Sequence, residues 1–294
     1  MEYLQACPLC GCSQFTHHLT TSDHFLSGEN FTVVKCMECS LLFTNPRPLN
    51  PDRYYESKNY LSHTGNQSGL LPRVYRIIRK YNLKRKYRLL EKFRKPARIL
   101  DIGCGTGEFL AMGQSRGWSV AGLEPNQAAR NYATSVNSLD VCDLDAIDSF
   151  PQASFQVITL WHVLEHMPRP LQSMEMITKL LAPDGLLVVA VPNADSYDAQ
   201  HYKAYWAAWD LPRHLLHFTP VTLRCLLEKS GFTIVATSHL LPDAYYISLL
   251  SSSYQAGKKQ FLRATWHGYR SNHLAAKHTG NYSSIIFLAE REKS

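Results

Sequence analysis

Residues 100–110 read LDIGCGTGEFL: an apolar run, then Gly103, Gly105 and Gly107, then a helix-forming stretch. A strand that turns through glycines directly into a helix fits few architectures. The backbone must reverse tightly and pass close to whatever sits at the helix N-terminus. The chain beyond residue 97 repeats the alternation. Strands are expected at 98–102, 118–124, 139–142, 155–161, 186–192, 232–239 and 283–290, and helices at 107–116, 125–135, 170–181 and 220–230. This predicts an α/β fold, a mostly parallel sheet covered by helices on both faces.

Glycine turns of this kind serve several nucleotide ligands, so the acids around the turn decide between them. Asp101 lies in the loop itself, and the Lys-Ser/Thr pair of a phosphate-binding loop is missing. A carboxylate there repels a pyrophosphate but suits the ammonium group of an amino acid. Glu124 ends the next strand, 21 residues after Gly103, the spacing at which a carboxylate accepts ribose hydroxyls. Asp143 and Leu144 follow the third strand, an acid for an adenine amino group and an apolar side chain for its ring. Together they suit a cationic adenosine ligand.

Residues 97–192 resemble the core of the class I S-adenosylmethionine-dependent methyltransferases. DIGCGTGEF resembles the family's first motif, GLEP its ribose-binding motif, and FQVITLWHVLEH and LLAPDGLLVVAVPN its later ones. The resemblance implies a Rossmann-like sheet with a final antiparallel strand, and S-adenosyl-L-methionine as cofactor. By it, Asp101, Gly103, Cys104, Gly105 and Gly107 line the methionine end, and Glu124 with Pro125 holds the ribose. Asp143 and Leu144 contact adenine, and Trp161 and His162 flank the sulfonium. Gln156 stands where the family has Asp, a change expected to alter only local hydrogen bonding. HVLEH (162–166) is similar to a segment of polyprenyl-hydroxybenzoate O-methyltransferases that has an acid at the position of His162. Those enzymes bind a divalent metal there. With the acid lost here, the favoured reading is that Glu165 and His166 start the next helix with local hydrogen bonds, a metal at the two being the alternative.

The N-terminal region has its own logic. Four of the eight cysteines fall as Cys7-x-x-Cys10 and Cys36-x-x-Cys39. That spacing argues for structural Zn2+ in a ribbon spanning 1–45, with Cys12 an alternative ligand. The ribbon ends in FTNPRP, and joined to this core it is similar to zinc-containing methyltransferases that include sugar C-methyltransferases. Residues 46–96 form a Tyr-rich connector and a basic helix, and 97–294 a methyltransferase domain with acceptor-capping insertions at about 194–220 and 241–283. Segment 71–95 holds eleven Lys/Arg against the single acid Glu91, and 251–283 holds five and no acid. Val74, Ile77, Ile78, Tyr81, Leu90 and Phe93 recur at helical spacing, predicting a helix that packs this face and exposes its charges. Phosphorylated acceptors, anionic lipid and nucleic acid can all use such charge. The aromatic spacing reads as a packed face and disfavours nucleic acid.

Methyl transfer needs a positioned acceptor and often a base near neutral pKa. His214, His162 and His217 are the candidate bases, the first and last in WDLPRHLLHFTP (209–220), with Tyr55 or Tyr60 to orient the acceptor. The sugar enzymes have a Glu-His pair near this point, whereas here Arg213 precedes His214. The expected acceptor is the O, N or C atom of a small molecule: a sugar, a nucleotide-sugar or a related metabolite. The alternative is a macromolecule, RNA or protein, engaged through the ribbon and the basic helix. No apolar stretch is long enough to span a bilayer and no secretory leader is evident, so a cytoplasmic protein is expected.

Overall fold

A computed structural model describes residues 1–55 and 70–292. Its main sheet contains β4 (Arg98–Ile102), β5 (Ser119–Leu123), β6 (Val141–Cys142), β7 (Phe155–Trp161), β8 (Leu181–Pro192), β10 (Phe232–His239) and β11 (Ser284–Arg291). Their order is β10-β11-β8-β7-β4-β5-β6. β4 pairs in parallel with β5 and β7, β7 with β8, and only β11 runs antiparallel to its neighbours. Successive residues of the central strands enter opposite cores. Leu100, Ile158, Val189 and Phe287 pack in one cluster, and Ile99, Val157, Val188 and Ile286 in the other. That period of two explains why the strands read as unbroken apolar runs.

The helices α1 (Leu70–Leu90), α2 (Glu108–Gln114), α3 (Gln127–Asn137), α4 (Pro170–Leu180), α5 (Tyr197–Tyr202), α6 (Pro220–Lys229), α7 (Leu241–Ala256) and α8 (Phe261–Leu274) surround this sheet and its insertions. Pro125 does not open α3. Asn126 caps it, its side chain accepting from the Ala129 N–H at 3.0 Å, and leaves the proline one residue outside. α6 does begin on Pro220, beneath a reciprocal cap between Thr219 and Thr222. Gln156 Oε1 accepts from the Arg98 backbone N–H at 3.2 Å, tying β7 to the start of β4.

A second sheet joins the N-terminal region to the part built on the main sheet. Its order is β1-β2-β3-β9, from β1 (Phe15–Ser22), β2 (Asn30–Cys36), β3 (Leu42–Thr44) and β9 (Leu216–His217). The stretch WDLPRHLLHFTP therefore contains a strand, and His214 and His217 do not share a helix face. β9 pairs with β3, and Thr44 donates both its N–H, to Leu215 O at 2.9 Å, and its hydroxyl, to His214 O at 2.9 Å.

Arg213 completes the joint. It is buried, donating to Asp23 Oδ1 at 2.8 Å, Asp210 Oδ1 at 2.7 Å and Tyr54 O at 3.2 Å. Burial disfavours its charge, but Asp210 and Asp23 more than offset this and raise its pKa. The basic helix differs from expectation. Tyr87 and Leu90 are buried, but Ile77, Ile78 and Tyr81 are exposed, and the Val74 side chain and Tyr60 lie outside the described residues.

Replacing Arg213 by Ala strands the buried Asp23 carboxylate, and unfolding free energy measured with denaturant should fall by about 3–5 kcal/mol. A change within about 0.5 kcal/mol, as at an ordinary surface site, would remove this ion pair from the joint.

Candidate functional site

The sheet order reverses beside β4, and ligands of open α/β sheets bind at the carboxyl ends of the strands at such a point. Gly103 takes φ +70°, and a Cβ there would lie 2.5 Å from Val163 Cγ2. Gly107 takes φ +80° and would collide with Leu139. The turn is thus pinned against the end of β7 on one side and the third-strand region on the other. A cavity of about 940 Å³ opens there, within the range of small-molecule sites.

Its floor holds Asp101, Gly103, Cys104, Gly105, Trp161 and His162. Asp101 Oδ1 accepts from Thr159 Oγ1 at 2.5 Å; burial raises its pKa to about 7 against the opposing pull of Thr159 and Lys86. The Trp161 indole Nε1 is buried with no hydrogen-bond partner among the described residues. His162, just past β7, has φ 60°, in the left-handed region. Its Nε2–H donates to Asp243 Oδ2 at 3.1 Å, and its Nδ1 lies 3.5 Å from Glu165 Oε1. Burial disfavours the charged ring, but Asp243 and Glu165 outweigh it and raise its pKa to about 9.

Two cavity residues are not evident from sequence motifs. Lys86 holds its Nζ 4.0 Å above the Trp161 ring. Burial lowers its pKa to about 8, although Asp101 and Asp243 pull the other way. In a run of eleven basic residues nothing marks this one. Asp243 does leave a signal, as the one acid between Glu228 and Glu290.

The adenosine-side residues lie along the same strand ends, outside the cavity lining. Glu124 accepts from the backbone N–H of Gly105 at 2.8 Å and of Asn126 at 2.9 Å. Arg130 bonds Pro125 O at 2.7 Å and pairs with Asp143 at 2.7 Å. Leu144 follows in a short 3-10 turn, and Gly107 caps α2.

His214, His217 and Tyr55 are not brought to the cavity lining. His217 is buried, with Nε2 3.2 Å from Thr44 Oγ1, and burial and then His214 and His18 hold its pKa well below the ordinary value. The Tyr55 hydroxyl lies 3.0 Å from His166 Nδ1.

Among the described residues, two groups of donors converge closely enough for a metal ion. Cys7, Cys10, Cys36 and Cys39 present four sulfurs within 4.8 Å of one another. Cys7 and Cys39 are 3.6 Å apart, and Cys10 and Cys36 3.4 Å. Zinc held by four thiolates at about 2.3 Å has edges of about 3.8 Å, so the set fits. Cys12 points to Gln14 instead. The second group is Glu165, His166 and His214. His166 and His214 donate Nδ1–H to the carbonyls of Arg213 at 3.0 Å and Ala208 at 2.8 Å, so neither ring spends its Nε2 on that contact. Burial, then His214, lowers the His166 pKa to about 4, so this ring is neutral, as a ligand must be.

The strand order, the pinned glycine turn and the ring of acids define the Rossmann-like fold of the S-adenosylmethionine-dependent methyltransferases. The chain belongs to the methyltransferase domain family, which matches residues 75–237. Among its relatives, the ubiquinone biosynthesis O-methyltransferase of Psychrobacter arcticus is 31% identical over 151 residues, covering 46% of this chain and 59% of that one. The enzyme of the same name from Actinobacillus pleuropneumoniae is 33% identical over 108 residues, or 33% and 46% of the two chains. The chain thus spans about half the length of the curated relatives it matches. A SAM-dependent methyltransferase from Archaeoglobus fulgidus has the same fold, with a TM-score of 0.51, 21% identity and coverage of 72% and 94%. So does Haemonchus contortus phosphoethanolamine N-methyltransferase 2, with a TM-score of 0.53, 14% identity and coverage of 95% and 69%.

Proposed function

We propose that the protein transfers a methyl group from S-adenosyl-L-methionine to a small acceptor, with His162 as the base. The observation that carries this reading is the position of His162, in the floor of the cavity between Asp243 and Glu165. When bound, the donor supplies an activated methyl group, leaving the protein to orient the acceptor and accept its proton. Asp101 suits the donor ammonium and Lys86 its carboxylate. Glu124, with Pro125, Asp143 and Leu144 beside it, suits the ribose and adenine. Asp243 fixes the His162 ring and stabilises its charged form.

The names of the relatives favour an oxygen acceptor. The outer wall, with Tyr81, Leu240, Tyr245, Leu249 and Phe261, favours a partly apolar molecule over a bare sugar. The macromolecule alternative has less support, because the apolar half of the basic helix lines this cavity instead of offering an open cationic groove. The four-cysteine set in the N-terminal region is proposed to hold a structural zinc. It would fix the turns flanking β1 and β2, and so the joint with β9.

Three measurements test the reading. Calorimetry should show S-adenosylmethionine binding that weakens at least about tenfold in Glu124→Ala, the loss of roughly one charge-assisted hydrogen bond; equal affinity would remove Glu124 from the donor site. A base must be neutral to work, so kcat/KM should climb about tenfold per pH unit towards about 9. Asp243→Asn should move that limb down towards the ordinary histidine value and lower kcat, and His162→Ala should abolish the limb; a profile unmoved by either assigns the proton elsewhere. Metal analysis should find about one zinc per chain, lost in the Cys36→Ser/Cys39→Ser double variant. Full retention of zinc there would refute the ribbon site.

A further inference from the structure

Helices α7 and α8 carry their side chains inside out. They meet through small residues: Ala264, Gly268 and Ser271 of α8 are buried, as are Ala244, Ser248 and Ser251 of α7. A Cβ on Gly268 would come within 2.7 Å of Tyr245 Cδ1, so the two helices approach as closely as glycine allows. The large apolar side chains of α8 are left outside. Leu262, Trp266 and Tyr269 recur at i, i+4 and i+7 and are 90%, 58% and 51% exposed, a stripe along one helix face.

The stripe leads to the mouth of the cavity. Phe261 beside it, Ile77 and Tyr81 on α1 and Tyr246 on α7 all line the cavity and are also exposed, Ile77 by 68%. Exposed cations belong to the same elements: Lys258 and Lys259 just before α8, Arg263 on it, and Lys80 and Lys84 on α1. No acid occurs anywhere in 251–283.

Exposed aromatic and aliphatic side chains accompanied by Lys and Arg are the composition of a surface that lies in a bilayer interface. No helix among the described residues is long and apolar enough to cross a membrane, which leaves contact from one side. A second copy of the chain fits poorly. A twofold contact would set this positive charge against itself, and like charges across an interface are costly.

We propose that the α8 stripe and the adjoining face of α1 dock the protein on an anionic phospholipid surface, with the cavity mouth facing the bilayer. The acceptor then enters from the membrane as an amphiphile, its apolar part against Ile77, Tyr81 and Phe261 and its reacting group at His162. Docking stands on the surface alone. The route of the acceptor rests on the function proposed above.

The test is co-sedimentation of the full-length protein with vesicles of phosphatidylcholine, or of phosphatidylcholine mixed with phosphatidylglycerol. The protein should bind the mixed vesicles far better, and binding should fall as salt screens the charges. Leu262→Ser/Trp266→Ser removes two apolar anchors and should weaken binding by more than about tenfold. Lys258→Ala/Lys259→Ala/Arg263→Ala should sharply reduce the preference for the anionic lipid, leaving what Lys80 and Lys84 supply. Neither set touches the donor site, so calorimetric S-adenosylmethionine binding should be unchanged in both, which also reports that they fold. Absence of wild-type binding to either vesicle, or equal binding by the Leu262/Trp266 variant, overturns the proposal. So does a vesicle-free wild type that sediments as a dimer and a Leu262/Trp266 variant that does not, which assigns the stripe to self-association. Failure of docking with donor binding intact leaves the methyltransferase reading standing; loss of donor binding in the wild type overturns that reading and not the docking.

Discussion

The closeness of Gly103 to Val163 sets the geometry of everything around the cavity. β4 and β7 are neighbours on the sheet, yet the chains leaving them travel to different parts of it. With a Cβ position only 2.5 Å from Val163 Cγ2, the turn after β4 has no room for a side chain at Gly103. The chain after β7 is equally constrained, and His162 enters a left-handed conformation that a non-glycine residue adopts only when its surroundings hold it there. Asp101, Trp161 and His162 come from strands that merely pair, and this contact turns pairing into convergence.

A second constraint acts at the joint with the N-terminal sheet. Arg213 is buried there, and an arginine cannot shed its charge to escape burial. It must bring carboxylates with it: Asp23 from the N-terminal region, Asp210 from its own loop. The neighbouring histidines follow the same rule. His214 donates to a carbonyl and His217 lies against Thr44, so both sit within the joint and away from the cavity. A polar cluster that holds two layers together needs the same residue types at the same close spacing as a cluster that moves a proton. In WDLPRHLLHFTP the residue list alone does not separate the two; burial and partners do.

This difference marks how far the sequence could be read. The main strands were legible because both faces are buried, so Arg98–Ile102, Phe155–Trp161 and Ser284–Arg291 read as apolar runs. The glycine turn and Glu124 were legible because their spacing is fixed by the backbone. β9 is two residues long and takes its identity from β3, far earlier in the chain, so no local pattern announces it. Lys86 escaped for the opposite reason: a strong pattern of surface charge surrounds it. The apolar positions 77, 78 and 81 do follow a helical period, but periodicity records that a face is apolar and not what covers it.

On the proposed reading, the same physics suits the cavity to a cationic donor. Asp101, Glu165 and Asp243 face Lys86 and His162, three acids against two bases, each shifted by burial and by the others. Burial raises the pKa of Asp101 and lowers that of Lys86, whereas Asp243 and Glu165 outweigh burial and raise that of His162. A sulfonium donor with its ammonium group supplies positive charge directly and competes with protons at these groups. Donor binding would therefore hold Asp101 ionised and lower the pKa of His162, drawing the ring towards its neutral form as the methyl group arrives.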